Sequence, residues 1–402
     1  MNVLMPIYSC NPEGESESLV GYNWLEQISK HHKVFLITEL RYKKALEARP
    51  TENIVYNYVS VPHFWDLEIF SAFPPAYFIF MIKAYIVAKR IVKNEKIDLI
   101  HRITPIAFRF PDIITNIKLP YIIGPVGGGL KPLKSFQGVF KKESPVYALR
   151  TFDSLRFALD PFLIRTYNRA TSILVIGKYL YDVFPKEYHK KTKVYCEATI
   201  DSRKYNYVPE RSNNIIELLY VGRFIPLKAV SLLIRALKIL KDENSIIEYR
   251  LTLIGGGGEY YKYCVNLAKE LGISSNLKFM GRIKRSEIIE YYQKCDIFCF
   301  PSLKETSGNV VLEAMSCGIP VIVADRGGPA EIVDSGCGIK IPVTNEDEFI
   351  VRLKDAIVLL AQDKELRHFY AANARKRIEQ LYDNNNIGEQ ITEIYKDALT
   401  HA

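Results

Sequence analysis

The sequence predicts an α/β protein with two Rossmann-like, doubly wound domains. Short apolar runs rich in β-branched and aromatic residues alternate along the chain with segments of helical periodicity. Several of these runs end in glycine-bearing loops that lead into a helix, which is the pattern of a βαβ unit in a parallel sheet. A chain of 402 residues that is 48% hydrophobic and 25% charged is long enough for two or three folded domains.

The first sheet is predicted to begin at the N terminus, with strands in NVLMPIYSC, KVFLIT and NIVYNYVSV. The loop NPEGESES follows the first strand and carries Gly14, either as a plain turn residue or as part of a ligand-facing loop. A helix, LVGYNWLEQISK, comes next. Residues 63–90 are apolar enough to suggest a membrane span, but Pro74 and Pro75 interrupt the stretch and Lys83 places a positive charge within it. Their later part predicts an amphipathic, largely buried helix, with contact to a membrane surface as the alternative.

Two further strands carry candidate ligand-facing residues at their carboxyl ends. KIDLI is followed by His101, which is either structural or a substrate contact, and Arg109 lies in the loop beyond it. LPYIIGPV is followed by Gly127, Gly128 and Gly129, a run that indicates close backbone approach to a ligand or to another domain. A long helix over 145–170 and a last strand, TSILVIG, complete the first domain, and the polar segment VPERSNN forms a linker.

The second domain opens with a strand, IELLYV, which ends near Arg223 and Lys228. An arginine and a lysine five residues apart after a strand can converge on one diphosphate, the first as a planar fork and the second as a point charge. YRLTLI is followed by four glycines that begin at Gly255, which alone is a weak dinucleotide signal. The strand NLKFMG leads to Arg282 and Ile283.

The stretch 296–331 reads as strand, loop, helix and strand, so its loop lies at the carboxyl edge of the sheet, where ligands bind. Glu305 lies in that loop and Glu313 lies in the helix. The first amides of the helix, at Gly308, Asn309 and Val310, would face an anion, while carboxylates this close to an anion would face hydroxyls. The loop therefore predicts a site for a sugar attached to a phosphate, and the alternative is a capped helix with solvated glutamates.

Charge is distributed unevenly along the chain. Residues 1–205 hold 29 Lys and Arg against 19 Asp and Glu, a net charge of +10, and the remainder holds 25 against 26, a net charge of −1. The basic half indicates an anionic acceptor or membrane surface, unless it is only a lysine-rich surface. No nucleic-acid-binding motif accompanies it, so nucleic acid is not expected as a partner. Seven cysteines without metal-ligand spacing favour reduced thiols in a cytoplasmic protein.

Taken together, ETSGNVVLEAMSCGIPVI, GGPAEIV and the G-R-x(4)-K pattern resemble the signature of the family-4, group 1 glycosyltransferases. These are retaining enzymes of the GT-B fold that use nucleotide sugars. The resemblance is specific over residues 216–342 and looser in the N-terminal half. It implies two Rossmann-like domains facing an interdomain cleft, an acceptor-side domain over 1–205 and a donor domain over 206–385. A last helix over about 386–402, apolar at Ile387, Ile391, Ile394 and Leu399, would pack back on the first domain.

The resemblance also implies roles for individual residues. Arg223 and Lys228 would hold the donor diphosphate, Glu305 the donor sugar and Glu313 the ribose. Catalysis would rest on Glu305, Arg223 and Lys228. The remaining donor-binding residues would be Gly14, Gly255, Arg282, Ile283, Gly308, Asn309 and Val310, and possible acceptor or cleft residues are His101, Arg109, Gly127 and Gly128. The sequence departs from the family pattern at Ala229, where glycine is usual, and at GPVGGG, where many relatives carry a cleft histidine.

The expected function is therefore retaining transfer of a sugar from a nucleotide sugar, such as a UDP or GDP sugar, to a glycan or lipid-linked acceptor. Bacterial-type cell-surface polysaccharide or glycoconjugate assembly is the expected setting. The chain has no D-x-D pair, so we expect neither a metal nor a cofactor. A cytoplasmic enzyme, with possible peripheral contact to an anionic membrane, is expected. The alternatives are a sugar-nucleotide epimerase or hydrolase on the same scaffold, a glycan phosphorylase, and a non-catalytic nucleotide-sugar-binding partner of a glycan-assembly complex.

Overall fold

The computed structural model describes residues 1–14, 16–62, 75–131, 133–136, 153–197, 199–205, 215–243 and 247–400. The chain forms two compact units. The first consists of residues 1–129, 144–199 and 384–402, and the second of residues 130–143 and 200–383. Three parts of the predicted organisation lie outside the described residues: 63–74 of the apolar stretch, 145–152 of the long helix, and the linker 208–214.

The first unit contains a parallel sheet of seven strands in the order β3-β2-β1-β4-β5-β6-β7. The strands are β1 Asn2–Pro6, β2 Lys33–Glu39, β3 Ile54–Val59, β4 Leu99–Arg102, β5 Tyr121–Val126, β6 Ser172–Val175 and β7 Thr192–Val194. The central strands are buried along their whole length, as a sheet covered on both faces requires. The prediction that TSILVIG is the last strand is wrong, because the three-residue strand β7 adds an edge that is too short to show a periodic pattern.

The helices that connect these strands are α1 Glu17–Ser29, α2 Lys43–Glu47, α3 Pro75–Asn94, α4 Asp153–Leu159 and α5 Pro161–Arg169. The described part of the predicted helix over 145–170 is in fact two helices. The Asp160 carboxylate accepts hydrogen bonds from the amides of Phe162 and Leu163 at 3.1 and 3.0 Å and so caps α5. Pro161 takes the first position of the new helix, where it needs no hydrogen-bond donor, so one helix ends and the next begins there.

Helix α3 packs one face against the sheet, through Ala76, Tyr77, Phe80, Met81, Ala84, Ala88 and Ile91. It is therefore amphipathic, as its sequence predicts, but only half buried and not largely buried, because Ile82, Ile86 and the lysines of the helix face solvent. Within the described ranges, none of the helices has the length and apolarity needed to span a bilayer.

The second unit contains six parallel strands in the order β10-β9-β8-β11-β12-β13. They are β8 Ile216–Val221, β9 Tyr249–Ile254, β10 Leu277–Gly281, β11 Ile297–Phe300, β12 Val321–Ala324 and β13 Gly338–Ile341. The helices are α6 Val230–Asp242, α7 Gly258–Glu270, α8 Arg285–Gln293, α9 Asn309–Ser316, α10 Gly327–Ile332, α11 Glu346–Gln362 and α12 Lys364–Leu381. The strand order reverses between β8 and β11, and ligands of doubly wound sheets bind outside the carboxyl ends of the strands at that switch point.

The C-terminal helix, α13 Asn384–Thr400, belongs to the first unit and packs against α1. Ile387 and Ile391 are buried, and Ile394 is partly buried against the same core. Leu399 is exposed, so its assignment to the apolar face is wrong. The buried stripe continues through Tyr395 and Ala398 at helical spacing, which turns Leu399 away from the core.

Candidate functional site

The carboxyl ends of β8 and β11 form the centre of the candidate site. These strands are direct neighbours, with Ile297 opposite Leu218. The loop after β8 leads through a 3-10 turn that ends at Lys228, and the loop after β11 carries Glu305. A backbone hydrogen bond of 2.9 Å from Leu303 to the Leu227 carbonyl joins the two loops. Sheet order thus places Lys228 and Glu305, which are 77 residues apart, at one edge.

Lys228 and Glu305 form an ion pair in a largely dry setting. The Lys228 ammonium donates to the Glu305 carboxylate, and 6% and 21% of the two side chains are exposed. The ammonium also lies 5.3 Å from the centre of the Phe300 ring. Burial by itself would raise the pKa of the Glu305 carboxyl, but the Lys228 charge and the Ser307 and Thr306 amides together hold that pKa below its ordinary value. Glu305 is therefore an oriented carboxylate at neutral pH.

Arg223 is placed differently from Lys228. It follows β8 directly and its side chain is exposed. In the described part of the chain, no acidic side chain pairs with its guanidinium. Because Glu305 already neutralises Lys228, Arg223 supplies the uncompensated cation beside the switch point. The sequence predicts two cations that converge on one diphosphate, and the structure gives them different surroundings. Their contact with a diphosphate stays a prediction.

Ala229, which departs from the family pattern, adopts the left-handed backbone conformation with φ +53° and ψ +31°. It is fully buried and links the 3-10 turn to α6. Glycine takes this conformation without strain, whereas a residue with Cβ is strained there by roughly 1–2 kcal/mol. The family's usual glycine at this position is therefore explained by the backbone conformation of the turn, and alanine adopts the same conformation here.

The Glu305 loop is held from behind by the start of α10. The Gly328 amide donates to the Glu305 carbonyl at 3.0 Å, and a Cβ at position 328 would come within 2.2 Å of the Thr306 carbonyl oxygen. Gly308 then takes φ +87° and begins α9. The first amides of α9, at Asn309 and Val310, have no preceding helical turn to donate to, so they present partial positive charge. The predicted helix start is therefore present in the fold, and its contact with an anion stays a prediction.

Glu313 lies deeper in α9 and is held by two residues of α8 that the sequence analysis missed. Its carboxylate accepts hydrogen bonds from Arg285 Nη2 at 2.9 Å and from the Tyr292 hydroxyl at 3.0 Å. Tyr292 is fully buried, whereas 65% of the Arg285 side chain is exposed against 8% for Glu313. Arg285 and Tyr292 are seven residues apart and so share a helix face. That spacing is the signal by which they could have been found.

The ends of β9 and β10 complete this edge of the sheet. The Gly255 amide donates to the Gly281 carbonyl at 2.8 Å, so the two loops are joined. Arg282 is exposed and Ile283 is half buried. Both follow β10 directly, on the same edge as Lys228 and Glu305. Their contact with a nucleotide stays a prediction.

His101 in the first unit is not an open ligand-facing group, which corrects the interpretation of it as a cleft residue. The ring is fully buried, with Nδ1 at 2.7 Å from the Tyr395 hydroxyl and Nε2 at 2.8 Å from the Gly124 carbonyl. Burial lowers the pKa of His101 to about 3, against a smaller opposing effect of the hydrogen bond to Gly124. His101 therefore stays neutral and ties α13 to the sheet.

The other candidates of the first unit lie at the carboxyl edge of its sheet. Gly127 is buried and extends the sheet, since its amide donates to the Ile106 carbonyl at 2.8 Å. Gly128 and Arg109 are half buried, and Gly14 lies in the loop before α1. The contact of Gly14 with the donor, and of Arg109, Gly127 and Gly128 with an acceptor, stays a prediction.

Comparison with known proteins identifies the second unit. Residues 205–377 match the family described as Glycosyl transferases group 1. The second unit is a group 1 glycosyltransferase domain. This confirms the resemblance drawn from the glutamate loop and the Arg–Lys pattern.

Curated relatives that are named as glycosyltransferases match parts of the chain. An uncharacterized glycosyltransferase of Methanocaldococcus jannaschii is 30% identical over 184 residues, which cover 45% of each chain. A D-inositol 3-phosphate glycosyltransferase of Saccharomonospora viridis is 28% identical over 46% of this chain and 43% of its own. The chain thus spans less than half the length of these two relatives. A second uncharacterized M. jannaschii glycosyltransferase is 28% identical over 74% of this chain and 75% of its own.

Solved structures of the GT-B fold match the chain over nearly its full length. The sucrose-phosphate synthase of Thermosynechococcus elongatus has a TM-score of 0.69 at 16% identity and covers 100% of both chains. The Anabaena protein HepE, solved in complex with UDP and glucose, has a TM-score of 0.63 at 20% identity and covers 99% of this chain and 100% of its own. The predicted fold class is confirmed.

Proposed function

We propose that this protein is a retaining glycosyltransferase that moves a sugar from a nucleotide-sugar donor to a glycan or lipid-linked acceptor. One observation carries the proposal. Arg223, the Lys228–Glu305 ion pair and the first turn of α9 all lie at the switch point of the sheet in a group 1 glycosyltransferase domain. The solved complex of HepE with UDP and glucose supports a UDP sugar as the donor. The proposed setting of the reaction is the assembly of cell-surface polysaccharide or glycoconjugate.

In the proposed reaction, the bond between the anomeric carbon and the diphosphate breaks, and a bond to the acceptor hydroxyl oxygen forms on the same face. The acceptor proton passes to an oxygen of the departing diphosphate, so the products are a glycoside and a nucleoside diphosphate. Negative charge grows on the diphosphate as the bond breaks. Arg223 and the α9 amides are preorganised to stabilise this charge, and no metal ion is required for that role.

The two glutamates have separate tasks in this proposal. Glu305, kept ionised and oriented by Lys228, accepts hydrogen bonds from hydroxyls of the donor sugar. Glu313, held from behind by Tyr292, accepts hydrogen bonds from the ribose. All seven cysteines lie outside any disulfide, and six of them are buried, which favours action in the reducing cytoplasm.

The test is a panel of nucleotide sugars and acceptors assayed for nucleoside-diphosphate release and for product by mass spectrometry. Arg223→Met should lower the transfer rate about a hundredfold to a thousandfold, because it removes transition-state stabilisation of roughly 3–4 kcal/mol. Glu305→Gln should slow transfer with almost unchanged affinity for the nucleoside diphosphate, which has no sugar to hold. Glu313→Gln should weaken that affinity.

Arg250→Met is the matched control, since Arg250 is an exposed arginine at the amino end of β9, on the opposite edge of the same sheet. It should leave transfer unchanged. Retention of the anomeric configuration, read by NMR, is expected in the product. Donor hydrolysis, an epimerised donor, or binding without turnover across the panel would each contradict the proposal and favour the corresponding alternative.

A further inference from the structure

A short segment from the first half of the sequence belongs to the second unit. Strand β5 ends at Val126 and three glycines follow it, and the next residue, Leu130, already belongs to the second unit. Gly128 and Gly129 have φ values of +99° and +77°, which glycine adopts without strain, so the chain can turn sharply there. We define the strap as residues 130, 131 and 133–136.

Two contacts hold the strap on the second unit. Phe136 ends it in a 3-10 turn and is fully buried, with its ring edge-on to that of Phe349 in α11 at 5.9 Å between ring centres. Towards the other end, Arg326 Nη2 donates to the Lys131 carbonyl. A segment that only connected two units would leave a phenylalanine in solvent, whereas a buried aromatic ring contributes a large apolar contact. The strap is therefore a packed part of the second unit.

The strap lies at the carboxyl edge of the second sheet. Arg326 follows β12, and Phe349 lies in the first turn of α11, which follows β13. Strand β12 is the direct neighbour of β11, whose loop carries Glu305, and β8 is the neighbour on the other side. The loops that follow parallel strands lie at one edge of the sheet. The Glu305 loop is therefore flanked by the Lys228 loop on one side and by the α10 start with the strap on the other.

Gly327, at the start of α10, lies between the strap and the Glu305 backbone. A Cβ at Gly327 would come within 2.1 Å of the Glu305 carbonyl oxygen and within 3.1 Å of Leu130 Cδ1. The Gly328 amide donates to the same carbonyl at 3.0 Å. Leu130 and the Glu305 loop are thus separated by glycine backbone alone. Because protein interiors are close-packed, a displacement of Leu130 would be transmitted to Glu305.

We propose that the strap positions Glu305 for the donor sugar, with Leu130, Arg326 and Phe136 as positioning residues. Leu130 supports the α10 start, and the α10 start supports the Glu305 loop. The inference rests on the proposed function, in which Glu305 accepts hydrogen bonds from the sugar hydroxyls. Because these contacts reach the Glu305 loop, the part of the substrate concerned is the sugar and not the nucleoside diphosphate. A segment of the first half of the sequence thereby acts on the donor side of the reaction.

The test compares Leu130→Ala, Phe136→Ala and Arg326→Met with the parent, each in the full chain. Hydrogen exchange at the Gly328 amide, read by mass spectrometry of the peptide that contains it, reports whether the Glu305 loop is held. We expect each variant to speed that exchange about tenfold or more. We expect the transfer rate to fall about tenfold to a hundredfold, as for a group displaced by about 1 Å. Affinity for the nucleoside diphosphate should stay within about twofold of the parent.

Three further variants separate positioning from a general loss of stability. Leu240→Ala truncates a buried residue near the end of α6, at the amino edge of the same sheet, and is the control for Phe136→Ala. Arg367→Met removes an arginine that donates to the Ala361 carbonyl at 2.9 Å and is the control for Arg326→Met. Both controls should leave Gly328 exchange and transfer within about twofold of the parent. Phe136→Leu keeps an apolar anchor and should retain most of the transfer rate.

The outcomes distinguish this inference from the proposed function. Unchanged Gly328 exchange in the three strap variants would overturn the inference while leaving the transferase activity intact. Equal losses of transfer and of nucleoside-diphosphate affinity would also overturn it, as would control variants that behave like the strap variants. A parent that transfers no sugar would refute the proposed function, and Gly328 exchange would then still decide whether the strap holds the Glu305 loop.

Discussion

Replacing Lys228 with methionine removes the ammonium that neutralises Glu305 while keeping most of the apolar stem. The ion pair is largely buried, with 6% of the lysine and 21% of the glutamate side chain exposed. Breaking a fully buried pair typically costs roughly 3–5 kcal/mol, because the remaining charge is left uncompensated. Since Glu305 keeps about a fifth of its side chain in solvent and an amide donor at Ser307, we expect Lys228→Met to lower the unfolding free energy of the second unit by about 2–3 kcal/mol at pH 7.

The effect should shrink as the pH falls. In the parent protein the pKa of Glu305 is depressed, so its stabilising contribution is complete above the unfolded pKa of about 4.5 and is lost as pH falls through the lower folded pKa. In Lys228→Met the cation is gone and burial acts to raise the pKa of Glu305. Protonation then removes the uncompensated charge, and the stability gap to the parent narrows toward pH 5. Adding Glu305→Gln should restore the unfolding free energy at pH 7 to within about 1 kcal/mol of the parent.

The assay has to read the second unit by itself. The sequence of the second unit, residues 130–143 and 200–383, contains no tryptophan, so tryptophan fluorescence does not report on that unit. Hydrogen exchange of β8 and β11 peptides, read by mass spectrometry, gives the local opening free energy. Arg223→Met is the control, because its exposed side chain should change that free energy by less than about 0.5 kcal/mol. The assignment of a buried structural pair would be refuted if Lys228→Met and Arg223→Met lowered the opening free energy equally. It would also be refuted if Glu305→Gln did not restore the opening free energy of Lys228→Met.

Two further predictions concern backbone and core. His101 is buried with a pKa lowered to about 3, so only the unfolded chain gains its proton as pH falls below about 6.5. Its contribution to the unfolding free energy should drop by about 1.6 kcal/mol between pH 6.5 and 5. His101→Gln should flatten that slope in urea titrations followed by fluorescence of Trp24, whose ring lies 5.9 Å away. At Ala229, φ +53°, glycine should leave the stability of the second unit within about 1 kcal/mol of the parent, whereas valine should lower it by about 2–3 kcal/mol. Hydrogen exchange of α6 measures the stability of both variants. An Ala229→Val variant that is as stable as the parent would contradict the assignment of a strained turn.

Local sequence patterns determined most of the architecture. Short apolar runs located five of the six strands of the second sheet and six of the seven in the first. The glycines at 308 and 328 marked the positions where the chain needs left-handed geometry or close approach. The motif around Glu305 and Glu313 was specific enough to identify the glycosyltransferase domain. Each of these signals is confined to a few consecutive residues, which is why a sequence displays them.

Where patterns were short or broken, the sequence was less reliable. Strand β7 has three residues and no periodicity to recognise. At Asp160–Pro161 one helix ends and the next begins, because the Asp160 side chain caps the new helix and Pro161 has no amide donor to continue the old one. The apolar residues keep a helical spacing across this step, so the sequence pattern does not show the break. Leu399 is apolar and follows the buried Ala398 directly, but successive residues of a helix point in different directions, so Leu399 faces solvent.

Only the tertiary structure decided which charged groups are free. The sequence presents Arg223 and Lys228 as two cations for one diphosphate, and strand order gives them different surroundings by bringing β11 beside β8 and Glu305 onto Lys228. It presents His101 as an imidazole at a strand end, and the return of α13 buries it under Tyr395, 294 residues later. Glu313 likewise meets Arg285 and Tyr292 from another helix. Charge and hydrogen-bond partnership depend on distances of about 3 Å between groups remote in the chain, and those distances are set by packing and not by local sequence.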